Sequence, residues 1–148
     1  MFNWYGEQEK AFAGMKADST LDVCDSFASE GGINPAECVI RGTDKAKQIK
    51  TATVADISKI IGVAVHAHKD IPESGKYFED GYSVSVMTFG DIYVMLGGDV
   101  EAGDAVTITI NDEGEMFYTK ATETDAIEGF TFLDSGAEGE VVRIRIRK

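Results

Sequence analysis

The sequence predicts an all-β, mainly antiparallel domain, either a β-barrel or a β-sandwich, with at most one or two short helices. Short runs with alternating apolar and polar residues recur along the 148 residues, as expected of half-buried strands. Turn signals rich in Gly, Asn and Asp separate these runs. The runs follow one another at fairly regular spacing, which favours an antiparallel barrel or sandwich over a fold built from βαβ units.

The predicted elements begin after a distinct opening segment. Residues 1–17 form this segment, in which Gly6 and Gly14 weaken a short helix. A turn follows at 31–35, and 54–60 fits either a helical turn or irregular structure. Predicted strands of the first half lie at 21–26, 37–41, 48–51, 61–68 and 82–86.

Short Gly-containing connections continue this pattern in the second half. The EAGD segment at 101–104 predicts a turn, and NDEG at 111–114 predicts a hairpin. The predicted strands here lie at 91–96, 106–110, 116–119, 127–133 and 141–147. Since no linker or change of composition divides the chain, we expect an N-terminal arm at 1–17 and a single β-domain at 18–148.

Charge restricts the expected partners. The chain has 26 acidic and 14 basic residues and a formal net charge of −12. Phosphate backbones and anionic membrane surfaces would repel it, so neither nucleic acid nor a membrane is an expected partner. The first twenty residues lack an apolar run, so we expect no secretory signal or membrane span, and folding in a reducing cytosol. Cys24 and Cys38 are then expected to be small buried residues, with a disulfide as the alternative.

The sequence contains no complete catalytic set. His66 and His68 are the only histidines, and on a strand they would share one face. They could begin a zinc site, but no second ligand pair has suitable spacing, and a polar strand end at a subunit contact is the alternative. Ser135 lacks the glycines of a nucleophile elbow. We therefore predict a protein that is not an enzyme and needs no cofactor.

The opening segment is the first candidate contact surface. It would pack either on the protein's own core or, as an arm, on a neighbouring subunit. The second interpretation draws on the fact that buried aromatic residues dominate the energetics of many interfaces. Its candidate contact residues are Phe2, Trp4, Tyr5, Phe12 and Met15.

The last predicted strand is the second candidate contact surface. Its apolar residues share one face, while Arg143, Arg145 and Arg147 share the other. The arginines would either pair with acids on neighbouring strands, at roughly a few tenths of a kcal/mol per exposed pair, or contact acids of another subunit. An arginine row would also discourage uncontrolled pairing of strand edges.

Four collinear stretches, which together span most of the chain, carry a family resemblance. They are AFAGMKADS at 11–19 with LDVCDSF after it; INPAECVIRGTD at 33–44; IGVAVHAHKD, SGKY and DGYSVSVMTFGDIYV between 61 and 94; and GFTFLDSGAEGEVVRIRI at 129–146. This set resembles the head-decoration proteins of tailed bacteriophages known as structural cement proteins. Each stretch is a strand plus a turn, so the resemblance rests on the set and its order.

The resemblance implies a β-rich domain that forms dimers or trimers on the outer surface of an icosahedral head. There it would bridge neighbouring major capsid protein subunits and hold the shell against internal DNA pressure, without enzyme activity, metal or cofactor. Two alternatives stay open. One is another virion subunit, of the tail-tube or head-completion type, and the other is a small metal-binding β-barrel that uses His66 and His68.

Overall fold

The computed structural model describes residues 11–17, 21–67 and 76–147. The described residues form nine β-strands and one short 3₁₀ helix, Val54–Lys59. The predicted all-β, mainly antiparallel class is therefore confirmed. The strands are β1 Val23–Ser29, β2 Cys38–Arg41, β3 Gln48–Thr51, β4 Gly62–Ala64, β5 Ser83–Met95, β6 Val106–Ile110, β7 Met116–Lys120, β8 Phe130–Phe132 and β9 Val141–Arg147.

Five strands close into a ring, which identifies the fold as a barrel. β1 pairs in parallel with β3, and the antiparallel pairs β3–β2, β2–β4, β4–β5 and β5–β1 complete the circuit. Closure leaves no free edge in the ring. β9 and then β8 extend the sheet from the second half of β5, and β6 and β7 form a separate two-stranded hairpin.

The apolar residues form two cores, because the ring strands bury side chains on both faces. In β2, Val39 belongs to the smaller core, while Cys38 and Ile40 belong to the larger one, as the two-residue period of a strand requires. The larger core joins the outer face of β2 and β4 to β9 and the β6–β7 hairpin. The smaller core lines the ring and consists of Ile33, Val39, Ile49, Ala64, Phe78, Val84 and Val86.

The strand β5 passes from one core to the other. Val84 and Val86 face the smaller core, whereas Ile92 and Val94 face the larger one. All four have even numbers, so the alternation of a regular strand would place them on the same side. The change occurs between Met87 and Gly90. Met87 pairs with Cys24 and Phe89 with Val23, so Thr88 is an extra residue in β5, and Gly90 nearby has a φ of +135°. The sequence predicted two strands, at 82–86 and 91–96, because Phe89-Gly90 resembles a break. In the structure the chain bends at this glycine without leaving the sheet.

Other predicted elements differ from the structure mainly in length. The strand predicted at 61–68 is reduced to β4. Val65 N–H still donates to Ser85 of β5 (2.9 Å), but His66 N–H donates to Gly14 of the opening segment instead (2.9 Å). The segment 54–60 contains the 3₁₀ helix, at whose start the Asp56 carboxylate accepts hydrogen bonds from the Thr53 backbone and hydroxyl. Within the described ranges, no helix has the length and apolar character needed to cross a bilayer.

The bend at Gly90 gives a stability prediction. A Cβ at Gly90 would lie 2.8 Å from the Cβ of Asp22 and 3.1 Å from Met87 Sδ, whereas one at Gly139 (φ +87°) would meet nothing within 4 Å. Gly139→Ala should therefore cost only the strain of a positive φ, about 1–2 kcal/mol, and Gly90→Ala should cost clearly more. Urea unfolding of both variants measures the difference. Equal losses of unfolding free energy would show that glycine is needed at position 90 only for its positive φ and not for close packing.

Candidate contact surface

The described part of the predicted arm, residues 11–17, lies along β5. Gly14 N–H donates to the carbonyl of Tyr93 (2.8 Å), and Tyr93 N–H donates to Met15 (2.9 Å). Ala17 N–H donates to Asp91 (3.1 Å), and Lys16 forms an antiparallel bridge with Ile92. The opening segment is therefore bonded to its own domain through residues 14–17. Its remaining predicted contact residues, Phe2, Trp4 and Tyr5, fall outside the described residues.

Gly14 permits this docking. Residues 12–15 form a turn, in which Met15 N–H donates to the carbonyl of Phe12 (3.2 Å). Gly14 has a φ of +89°, and a Cβ there would lie 2.7 Å from the Cβ of Pro35. From the sequence alone, Gly14 is expected to weaken a helix, and in the structure it also allows a tight turn with close packing.

Two apolar side chains of this segment face outward. Phe12 is 47% exposed and Met15 is 38% exposed. Phe12 packs edge-on against His66, with ring centroids 4.6 Å apart. On the other side of His66, the Tyr77 hydroxyl lies 3.3 Å from Nε2 and also donates to the carbonyl of Ala67. The aromatic group therefore fixes the orientation of Phe12 while leaving about half of it accessible.

The histidines and cysteines do not form a described metal centre. His66 lies between two aromatic rings, and His68 is outside the described residues. Among the residues that the structure describes, no three His, Cys, Asp or Glu side chains are grouped as metal ligands. Cys38 is buried and Cys24 half-buried, and both are free thiols. Burial raises the pKa of the Cys24 thiol, which disfavours the reactive thiolate.

The last strand has the two faces that the sequence predicted. Val142, Ile144 and Ile146 are buried in the larger core. The arginines on the opposite face pair in register with β5: Arg143 with Tyr93, Arg145 with Asp91 and Arg147 with Phe89. Together these six residues form a surface that we call the β5–β9 outer face.

Two of the arginines hold acids of the same chain. Arg143 donates to both carboxylate oxygens of Asp134, from Nε (2.9 Å) and Nη2 (2.8 Å). Arg145 donates in the same bidentate manner to Asp91, at 2.9 and 3.0 Å. The Asp91 side chain is only 4% exposed, while that of Asp134 is 35% exposed. These contacts match the first interpretation in the sequence analysis, in which neighbouring acids are the partners of the row.

Arg147 is the exposed member of the row. Its guanidinium carbon lies 5.6 Å from the centre of the Phe89 ring, a cation–π arrangement. A surface cleft of about 210 Å³ borders this end of the outer face and is lined by Leu21, Phe89, Gly90, Asp91, Arg145, Ile146 and Arg147. Leu21, which is 79% exposed, gives the cleft an apolar wall.

Sequence reasoning missed several residues of this surface. Asp91 and Asp134 lie 54 and 9 residues from their arginines, and only the strand register brings the first pair together. Leu21 and Val23 were assigned to an amphipathic strand, yet both are exposed. Apolar residues next to a polar turn could have indicated an exposed patch, but alternation alone does not distinguish the buried face from the exposed one.

The comparisons with known proteins define the chain as a phage structural protein. A family model described as structural cement protein (E217 gp24/Pam3 gp6) matches residues 3–147. The chain belongs to this family, and the resemblance found in the sequence is confirmed. No protein with a curated description matches the chain significantly.

The comparison with solved structures gives two further similarities. A chain from the capsid of Myoviridae phage XM1 has a TM-score of 0.69 at 17% identity, covering 99% of this chain and 98% of that one. A second similarity is to the N base of head fibre gp8.5 of bacteriophage phi29, with a TM-score of 0.46 at 14% identity, covering 86% of this chain and 95% of that one. Because the identity to the XM1 capsid chain is only 17%, this similarity supports the fold assignment alone.

The different burial of the two ion pairs gives a stability prediction. Arg145→Met keeps most of the alkyl volume but leaves the Asp91 carboxylate buried without its guanidinium, which should cost about 3 kcal/mol. The matched variant Arg143→Met should cost about 1 kcal/mol or less, because Asp134 is partly exposed. Chemical unfolding at neutral pH measures both variants. If both variants lose the same free energy of unfolding, the burial of Asp91 does not determine how much its ion pair contributes to stability.

The Arg143 pair should also depend on pH. Hydrogen bonds from the Arg143 side chain lower the pKa of the Asp134 carboxyl. A lowered pKa in the folded state adds stability above the ordinary Asp pKa of about 3.9, and this contribution is lost as the pH falls through the lowered value. The stability difference between the native protein and Arg143→Met should thus shrink below about pH 4. Asp134→Asn is the control, since Arg143→Met on that background should show no such dependence.

Proposed function

We propose that this protein is a capsid decoration protein, which binds the outer surface of the phage head, bridges neighbouring major capsid protein subunits and stabilises the shell. The observation that carries the proposal is the family match, which spans residues 3–147 under the description structural cement protein. A protein that stabilises the shell in this way needs a rigid body and contacts with more than one shell subunit. Its surface charge must also allow those contacts.

The ring of five strands supports the first requirement. Its strands are closed by backbone pairing, and the two cores lie on opposite faces of β2 and β4. Protein interiors packed at this level have low compressibility and transmit force rather than absorb it. A bridge built in this way would resist the separation of the subunits it joins.

The charge supports a position on the outside of the shell. The net charge of −12 would oppose binding next to packaged DNA, because phosphates repel acidic surfaces. On the outer surface the same charge favours solubility before assembly. Contact with capsid must then come from local groups whose attraction exceeds the general repulsion.

The opening segment supplies such groups in this proposal. Phe12 and Met15 present apolar surface next to β5, and Phe2, Trp4 and Tyr5 would extend it onto capsid or a sister subunit. The β5–β9 outer face would add an electrostatic contact, chiefly through Arg147, since Arg143 and Arg145 already hold acids of their own chain. Formation of a dimer or trimer would multiply these contacts, with a gain in avidity of about 10²–10⁴.

The direct experiment uses phage heads that lack their decoration protein. Purified protein is added, and saturable binding is measured together with the survival of the heads under heat or chelator. Saturable binding that makes the heads more resistant supports the proposal, and the stoichiometry indicates the symmetry position occupied. Binding without added resistance would support attachment but reject the cement role, and no binding to cognate heads would reject both.

Single substitutions test the contact assigned to the opening segment. Phe12→Ser should weaken head binding by about tenfold or more, since a half-exposed aromatic anchor that becomes buried contributes more than about 1.4 kcal/mol. Val54→Ser is the matched control, because Val54 is 53% exposed on the 3₁₀ helix. Substitution is preferable to removing residues 1–17, which would also strip β5 of its bonds to 14–17. Equal binding by both variants would exclude Phe12 as an anchor.

A further inference from the structure

Charge is distributed unevenly along the chain. Residues 99–140 contain twelve acids and one lysine, a net charge of −11, which is nearly the whole net charge of the protein. Residues 41–50 contain four bases and one acid, a net charge of +3. We call the first region the acidic end and the second the basic loop, whose cations are Arg41, Lys45, Lys47 and Lys50.

The basic loop has a defined conformation. It joins β2 to β3, and Gly42 N–H donates to the carbonyl of Gln48 (2.8 Å) at its base. The backbone N–H of Asp44 donates to the Gln48 side chain (2.9 Å), and the Asp44 carboxylate accepts from Ala46 N–H (3.1 Å). A neighbouring carboxylate, Glu30, accepts from the backbone and hydroxyl of Thr43. The acids near the loop are therefore engaged in shaping it.

The cations of the loop point into solvent. All four of its basic residues are exposed. The Arg41 side chain lies against the chain, over the Phe27 ring and bonded to the carbonyl of Lys45. Lys45, Lys47 and Lys50 form no ion pair with any acid in the described ranges. The loop thus presents three lysines on a backbone that is already ordered, so little conformational entropy would be lost on binding.

The acidic end offers the complementary surface. Of its twelve acids, Asp134 is the one that forms an ion pair within the described residues. Near the end of β5, the backbone N–H of Glu138 donates to Asp99 (3.2 Å), and Asn111 lines a cleft together with Glu138. Its exposed acids in this area are Asp99, Glu101, Asp112, Glu113, Glu115, Glu138 and Glu140.

The basic loop and the acids around Asp99, Glu138 and Glu140 lie at opposite ends of β5. Ala28 pairs with Ser83, the first residue of β5, and also with Gln48 at the base of the basic loop. At the other end, Leu96 directly follows β5 and its N–H donates to Glu140 (2.9 Å). The strand has 13 residues, and its ends are up to about 40 Å apart at the usual rise per residue. The acids around Asp99, Glu138 and Glu140 therefore lie too far from the basic loop to neutralise it within one chain. Another part of the acidic end lies closer, since Met116 Sδ is 3.2 Å from the backbone nitrogen of Cys38 at the start of β2.

We propose that the basic loop binds the acidic end of a second copy of this chain, in a head-to-tail contact. Every copy carries both surfaces, and their charges are complementary. At about 0.15 M salt, charges more than about 8 Å apart are largely screened. A basic loop and an acidic end in contact then still attract each other, whereas salt reduces the long-range repulsion between two acidic proteins. Orientations that bring two acidic ends together are disfavoured by repulsion.

A head-to-tail contact joins different surfaces on the two partners. Such contacts give rings when the rotation closes and open chains when it does not. The inference is independent of head binding, since it concerns the purified protein, and either proposal can fail without the other.

The test combines charge reversal with mixing. Sedimentation of the native protein at physiological salt should show concentration-dependent association, and Lys47→Glu or Glu138→Lys should each weaken it about tenfold. An equimolar mixture of the two variants keeps one intact basic loop and one intact acidic end, so it should recover association but stop at a dimer. Lys59→Glu is the matched control, because Lys59 is exposed, lies outside both regions and belongs to no proposed contact surface, and the variant changes the net charge as Lys47→Glu does. It should leave association unchanged.

Each other result overturns the proposal. A native protein that stays monomeric over the whole accessible concentration range excludes the contact. Association that Lys47→Glu leaves intact but Arg147→Glu removes assigns self-contact to the β5–β9 outer face. Association that the mixture fails to restore contradicts a head-to-tail arrangement, provided that melting curves show both variants folded. Binding of the native protein to an acidic polypeptide but not to itself would assign the basic loop to another partner.

Discussion

The continuous strand β5 is the element on which the rest of the structure depends. Its backbone bonds to β1, β4 and β9 and to residues 14–17. Its side chains enter both cores, and the change between them accompanies the register shift at Thr88 and the positive φ of Gly90. The fit to β4 is also close: a Cβ at Gly62 would lie 2.3 Å from the carbonyl oxygen of Met87. Ring, second core and contact surfaces are therefore positioned by one strand.

The sequence predicted the elements of this fold better than their connections. Alternation revealed strands such as β9, which has one buried face. It could not reveal that β5 is continuous, since a glycine in a strand pattern usually marks a break or bulge. Closure of the ring depends on the parallel pair β1–β3. Such pairing joins residues far apart in sequence and leaves no local signal. The sequence therefore could not distinguish a barrel from a sandwich.

The candidate contact surface shows the same limit. The two-residue period correctly placed the arginines on one face, but their partners depend on register. Asp91 meets Arg145 because β5 and β9 pair at that position, and no spacing rule would select Asp91 among 26 acids. The basic loop, in contrast, was visible in the sequence. A total charge of −12 conceals it, and counting charge by segment reveals it.

A decoration protein has to stay dispersed before assembly and attach firmly afterwards, and the observed surface suits both needs under the proposed function. General acidity keeps free copies apart. The possible attractions are small and separate: Phe12 and Met15 beside β5, Arg147 at the end of β9, and the lysines of the basic loop. None of these would hold two proteins together firmly alone. On a repeating shell they would act at once, because effective concentration makes each further contact nearly intramolecular. Weak individual contacts are then what allow attachment to depend on the assembled head.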